Sequence, residues 1–140
     1  MTLKVLIDTN ILLDVLAERK AFYNDAVRVW TLAESGRIDA HVAAISFNDC
    51  YYIVHKHAGR RSAEKAVRLL RDVFTPVDLT AQILHQAIDA SFADFEDAIQ
   101  FHSAVRAQAE CIITRNPDHF PRAPLSALSP AEFLAAHPFE

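Results

Sequence analysis

The chain has 140 residues, 51% of them hydrophobic, and 14 basic against 18 acidic side chains give a net charge of −4. Such a length suits one compact domain with a true core, expected over 1–140, and the negative balance offers no basic field for grasping a polyanion; attraction to a nucleic acid must then come from local Arg and Lys patches or bound cations. With only two glycines, Gly36 and Gly59, neither a Gly-rich phosphate loop nor a GxSxG elbow can be written, so P-loop nucleotide hydrolysis and ordinary serine hydrolysis drop out. No segment has the roughly 20 uncharged apolar residues of a membrane span, and no charged leader precedes a long apolar stretch, so a cytoplasmic protein is expected. Cys50 and Cys111 lie far apart in apolar surroundings and are expected as buried thiols, since neither a disulfide framework nor a zinc-binding CxxC is available.

In chain order, Lys4 to Ile7 is a short apolar run suited to a central parallel strand. Asn10 is expected to cap a helix starting at Ile11, and a second helix covers Asn24 to Ser35, where Ala26, Val27, Trp30 and Ala33 fall at helical spacing before Gly36. Residues 38 to 43 alternate as a strand. Ser46 or Asn48 then opens a helix that stops at Gly59, and another runs from Ser62 to about Phe74. Pro76 to Asp78 reads as a brief strand, Thr80 as the cap of a helix reaching Ala90, and Asp94 as the start of a helix reaching about Gln108. "CIIT" is a further buried strand, and "PLSALS" leads into a final helical turn from Pro130. Strands alternating with helices predict a parallel sheet covered on both faces.

Ligands of such sheets gather beyond the C-terminal strand ends, where strand order reverses, so polar residues there carry the functional expectation. Asp8 ends the first buried run, and Thr114 and Asn116 end the "CIIT" strand. An acid at the tip of a buried strand loses hydration and needs a cap, a salt bridge or a metal ion to compensate it. Asp94 and Asp97, three apart, are neighbours on one helical face, with Glu96 turned away from Asp97; Asp49 lies in the first turn of the helix after the second strand. Asp8, Asp49, Asp94 and Asp97 are therefore expected to converge on one crevice, an oxygen cage suited to Mg²⁺ or Mn²⁺. The plain reading of Asp94 is a helix cap. His55 and His57, two apart, cannot share a helical face, and His102 points to a different side from Asp97.

The succession "LIDTNILLD", "SFNDCYYIV", "DFEDAIQFHSA" and "IITRNPDHF" resembles the PIN domain family over nearly the whole chain. These are metal-dependent ribonucleases, many of them VapC-like toxins of toxin–antitoxin pairs. The resemblance implies a three-layer α/β/α sandwich around a parallel sheet of about five strands, with three or four acids binding one or two divalent ions. Asp8 matches the first family acid and Asp97 the third, Asp49 stands where Glu is usual, Thr114 matches a strand-end Ser or Thr, and Asn116 falls where many members carry a fourth Asp. Asp94 or Asp118 are the acids available to replace it. Implied roles are Asp8 and Asp97 as direct metal ligands, Asp49 and Asp94 as ligands or holders of water, and Thr114 and Asn116 as positioners of water or phosphate.

Single-stranded or loop RNA is the expected substrate, with Arg60, Arg61, Lys65 and Arg115 as candidate phosphate contacts. Phe22, Tyr23, Tyr51 and Tyr52 exceed the needs of a small core and point to a homodimer and an antitoxin groove. A haloacid-dehalogenase-type phosphatase needs a second Asp where Asn10 stands, and a receiver domain needs an acidic pair after its first strand and a later Lys. A non-catalytic PIN-like module binding RNA or protein, its acids vestigial, is the remaining alternative.

Overall fold

A computed structural model describes residues 2–138. Five parallel strands, β1 (Leu3–Ile7), β2 (Ile38–Ala43), β3 (Thr75–Val77), β4 (Cys111–Ile113) and β5 (Ser126–Leu128), form one sheet in the order β3-β2-β1-β4-β5. Seven α-helices connect and cover them: α1 (Thr9–Leu16), α2 (Tyr23–Glu34), α3 (Ala44–Ala58), α4 (Arg60–Val73), α5 (Ala81–Asp89), α6 (Phe95–Arg106) and α7 (Pro130–Ala136). The alternation of strand side chains splits the core in two. Val5, Ile7, Cys111 and Ile113 face α1, α2 and Phe133 of α7, whereas Leu6 and Ile112 face Phe101 and Ala104 of α6; Ile83 and Ala87 of α5 pack on Ala98 and Ile99 beside them. The result is the three-layer α/β/α sandwich expected.

Most helix starts follow local chemistry. Thr80 accepts from the Ile83 N–H, Asp94 from the Asp97 N–H, and Ser129 with Glu132 closes a reciprocal capping box. Several boundaries differ from expectation. Asp8, not Asn10, caps α1, because the strand passes into the helix without a linker. Helix α3 starts at Ala44, ahead of Ser46 and Asn48, with no side-chain cap on Ala43, and α4 starts at Arg60, directly after Gly59 at φ 87°. The third strand is set one residue earlier than read, at Thr75–Val77. Strand β5 was hidden in "PLSALS": it pairs with β4 at the sheet edge, where a strand of three residues is too short to show a periodicity.

Cys50 and Cys111 are buried free thiols, pushed up to about 12 chiefly by that burial, and so unreactive. Helix α7 contributes Phe133, fully buried against the α1–α2 side of the sheet. Phe133→Ala is expected to lose about 3–5 kcal/mol of folding free energy by urea denaturation; a loss below 1 kcal/mol would show that α7 is a dispensable appendage.

Candidate active site

The chain leaves β1 for β2 on one side and returns to β1 on the other as β4, so the two strands part company at their C-terminal ends and leave a crevice there. Asp8 and Thr114 are the residues just past those ends. The Asp8 N–H still donates to the Ile113 carbonyl at 2.9 Å, and the two side chains meet: Thr114 Oγ1 donates to Asp8 Oδ2 at 2.7 Å, while Asp8 Oδ1 accepts from the Thr9 N–H at 2.8 Å. Both donors are neutral. With Asp8 only 5% exposed, burial pushes its carboxyl up to about 6 despite these hydrogen bonds, and the charges of Asp97 and Asp94 push the same way.

Helix α6 presents its N-terminal turn to the crevice. Asp94 caps it at 3.0 Å from the Asp97 N–H, so the plain reading of Asp94 holds and its carboxylate also faces the opening. Burial and then Asp94 raise the Asp97 carboxyl, while His119, whose Nδ1 lies 3.2 Å from Asp97 Oδ2, lowers it. A cavity of about 290 Å³ is lined by Asp8, Asp94, Glu96, Asp97, Asn116 and His119. Glu96 and His119 were missed by the sequence reading. Glu96 belongs here because the crevice meets α6 at its end and not along one side, so consecutive first-turn residues reach it. The signal for His119 lay only in its closeness to Asn116.

Asp49 does not line this cavity. It stands behind it, carboxyl to carboxyl with Glu96, and its Oδ2 is buried without a hydrogen-bond donor. Its hydrogen bond to Glu96 raises the Glu96 carboxyl first, burial second; the pair is at ease only with a shared proton or a cation. Asn116 sits on the rim and donates its N–H to Thr114 Oγ1 at 3.1 Å. Asp118 instead faces a separate cavity with Arg122 and Glu132, which removes it as a stand-in for the fourth acid.

Among the described residues no three acidic, His or Cys side chains stand close enough to enclose an ion. The donor chemistry nonetheless fits a hard divalent cation: carboxylate oxygens, an amide and a hydroxyl, with one buried carboxylate oxygen lacking any donor. Asp8 and Asp97 are the residues placed to hold it, with Asp94, Glu96 and Asp49 as further oxygens.

The expected phosphate contacts fare differently. The Arg115 guanidinium is committed inward: it donates to Asp14 Oδ1 and lies 3.9 Å over the Phe22 ring, while Arg19 stands 3.7 Å from the same oxygen. Asp14, 1% exposed in the middle of an apolar helix, is what that cation serves. Arg60, Arg61 and Lys65 lie exposed on the first two turns of α4 and do not line the crevice; Arg60 pairs with Glu64 at 2.7 Å. Of the aromatic residues set aside for an interface, Phe22 and Tyr52 are exposed, and Tyr23 and Tyr51 half-buried.

Two consequences are measurable. Folding raises the Asp8 pKa from 3.8 to about 6, so the folded state holds a proton that the unfolded state releases. Stability of the metal-free protein should therefore be full below about pH 4 and fall as pH rises through 6, by about 3 kcal/mol, and Asp8→Asn should flatten that fall in urea titrations run in EDTA. An unchanged pH profile in the variant would mean that Asp8 titrates normally. Arg115→Met leaves the buried Asp14 carboxylate with only the more distant Arg19 and should cost about 2 kcal/mol of stability; a stable variant defective only in RNA affinity would make Arg115 a phosphate contact instead.

Residues 4–118 match the model of the PIN domain. No curated protein matches the chain in sequence. Solved structures share its architecture: VapC20 of Mycobacterium tuberculosis, described as a sarcin–ricin-loop-cleaving toxin, is 17% identical with a TM-score of 0.66, covering 82% of this chain and 92% of that one. VapBC2 from Rickettsia felis, bound to a promoter DNA fragment, gives 15% identity and a TM-score of 0.68, covering 91% and 98%. A toxin–antitoxin complex from Klebsiella pneumoniae gives 21% and 0.67, covering 90% and 97%. At such identities the likeness carries the fold, while the domain match spans most of the sequence and includes Asp8, Asp49, Asp97 and Thr114. With the strand-switch crevice and its acids in place, the chain belongs to the PIN domain family.

Proposed function

We propose that the protein is a divalent-metal-dependent endoribonuclease acting on single-stranded or structured RNA in the cytoplasm, as the toxin of a type II pair held in check by a cognate antitoxin. The observation that carries this reading is that a buried Asp8, held by neutral donors alone, lines one open cavity at the strand switch together with Asp94, Glu96 and Asp97. A cluster of that kind costs stability and is understandable as the seat of a cation. The toxin–antitoxin assemblies among the structural neighbours support the partner.

Mg²⁺ or Mn²⁺ would supply activation of water and charge stabilisation at phosphorus. The chain's own residues do the rest. Asp8 and Asp97 would hold the ion, Thr114 fixes the Asp8 carboxylate through its hydroxyl, and Asn116 would offer an uncharged amide at the rim to a phosphate oxygen or water. His119 restrains Asp97 from outside. Arg60, Arg61 and Lys65, away from the cavity, are suited to catch the flanking RNA backbone, and exposed Phe22 and Tyr52 to meet the antitoxin or a second subunit of a homodimer.

Purified protein should cleave RNA only with Mg²⁺ or Mn²⁺, and Asp8→Asn and Asp97→Asn should each lower the rate at least about 100-fold, since even the outer supports of a metal commonly carry 10–100-fold. Manganese at a hundred times its dissociation constant should add about 2.7 kcal/mol to wild-type stability and much less to Asp8→Asn. Cleavage that resists EDTA and survives both substitutions would overturn the site. Absence of both manganese binding and cleavage would favour a non-catalytic RNA- or protein-binding module.

A further inference from the structure

Behind the crevice lies a buried polar knot, joined to the acids through Thr9, whose N–H donates to Asp8 Oδ1. Gln100 Nε2 donates to Thr9 Oγ1 at 3.1 Å and to Ser46 Oγ at 2.9 Å, and the two hydroxyls share a bond of 2.7 Å. The three side chains are 0–6% exposed and come from three helices, α6, α1 and α3. Each lies close to an acid along its own chain. Thr9 directly follows Asp8, while Ser46 is one turn before Asp49 and Gln100 one turn after Asp97 and Glu96, the latter two at spacings that place residues on one helical face.

As a device for stability alone the knot is a poor choice. Its bonds use both amide protons and one hydroxyl proton, and Gln100 Oε1 is left buried with no partner, a cost that an apolar cluster of the same volume would avoid. What hydrogen bonds add over apolar packing is direction, since they fix three backbones at set distances. The crevice has need of that: its carboxylates repel one another, and the shifts of Asp8 and Glu96 record mutual charge as well as burial.

We propose that Gln100 is a positioning residue: through the Thr9 and Ser46 hydroxyls it clamps the N-terminal ends of α1, α3 and α6 together, holding Asp8 and Asp97 at the cavity, with Asp49 outside it, against their mutual repulsion. The consequence for metal affinity rests on the nuclease reading above. The clamp itself does not.

The test compares Gln100→Met, which keeps length and volume without hydrogen bonds, with the triple variant Thr9→Val, Ser46→Ala, Gln100→Met, which replaces the whole knot by apolar groups. Manganese titration calorimetry, thermal melting and amide hydrogen exchange are read on the full chain. Gln100→Met should weaken Mn²⁺ binding at least tenfold and speed exchange in the first turns of all three helices. The triple variant should melt at or above Gln100→Met, with the metal defect and fast exchange retained. Recovery of wild-type affinity and exchange in the triple variant, or none lost in the single one, would make the knot mere packing and overturn the proposal. A wild type that binds no Mn²⁺ and cuts no RNA refutes the nuclease reading alone; the exchange rates then decide the clamp, for which unchanged rates are fatal.

Discussion

The fold is organised around one contact, the 2.7 Å hydrogen bond from Thr114 to Asp8 across the ends of β1 and β4. It joins the two strands where the topology forces their continuations apart, and it gives a buried carboxylate a neutral donor in place of a counter-charge. Asp8 is thereby held in one orientation while keeping most of its demand for positive charge. A lysine in place of Thr114 would satisfy the carboxylate and close the site; a valine would leave it unanchored. The weak partner is what permits an anion to be both ordered and available.

The same economy appears a few residues away with the opposite outcome. Asp14, six residues after Asp8, is more deeply buried than Asp8 yet has Arg115 against it, Arg19 nearby and Phe22 stacked on the guanidinium. One acid is neutralised from the strand end that supplies Thr114; the other is left to the crevice. Adjacent residues on one loop, Thr114 and Arg115, thus divide the acids of α1 into a structural one and an open one.

How much of this was legible depended on the kind of signal. Apolar runs and caps gave the strand–helix alternation, and the acids at strand ends gave the crevice, because both are local patterns. Strand β5 was not legible, being only three residues long and dependent on β4 for its hydrogen bonds. Arg115 was misread for a different reason: charge alone does not reveal whether a guanidinium faces solvent or a buried Asp14, and the clue was the acid inside "ILLDVL". Glu96 was lost because helical-face reasoning holds along a helix and fails at its end. Gln100, Thr9 and Ser46 carry no charge and no period, so only the assembled helices show that they meet.

The Asp8–Thr114 contact spans 106 residues of sequence. Strand β4 follows β1 only after β2 and β3 have been made, and a pairing so distant in sequence loses its loop-closure entropy before any contact offsets the loss. Until then Asp8 is an ordinary hydrated side chain on an unfinished sheet. The crevice therefore exists only once β4 has docked beside β1, and Asp8 loses its water at that step and no earlier.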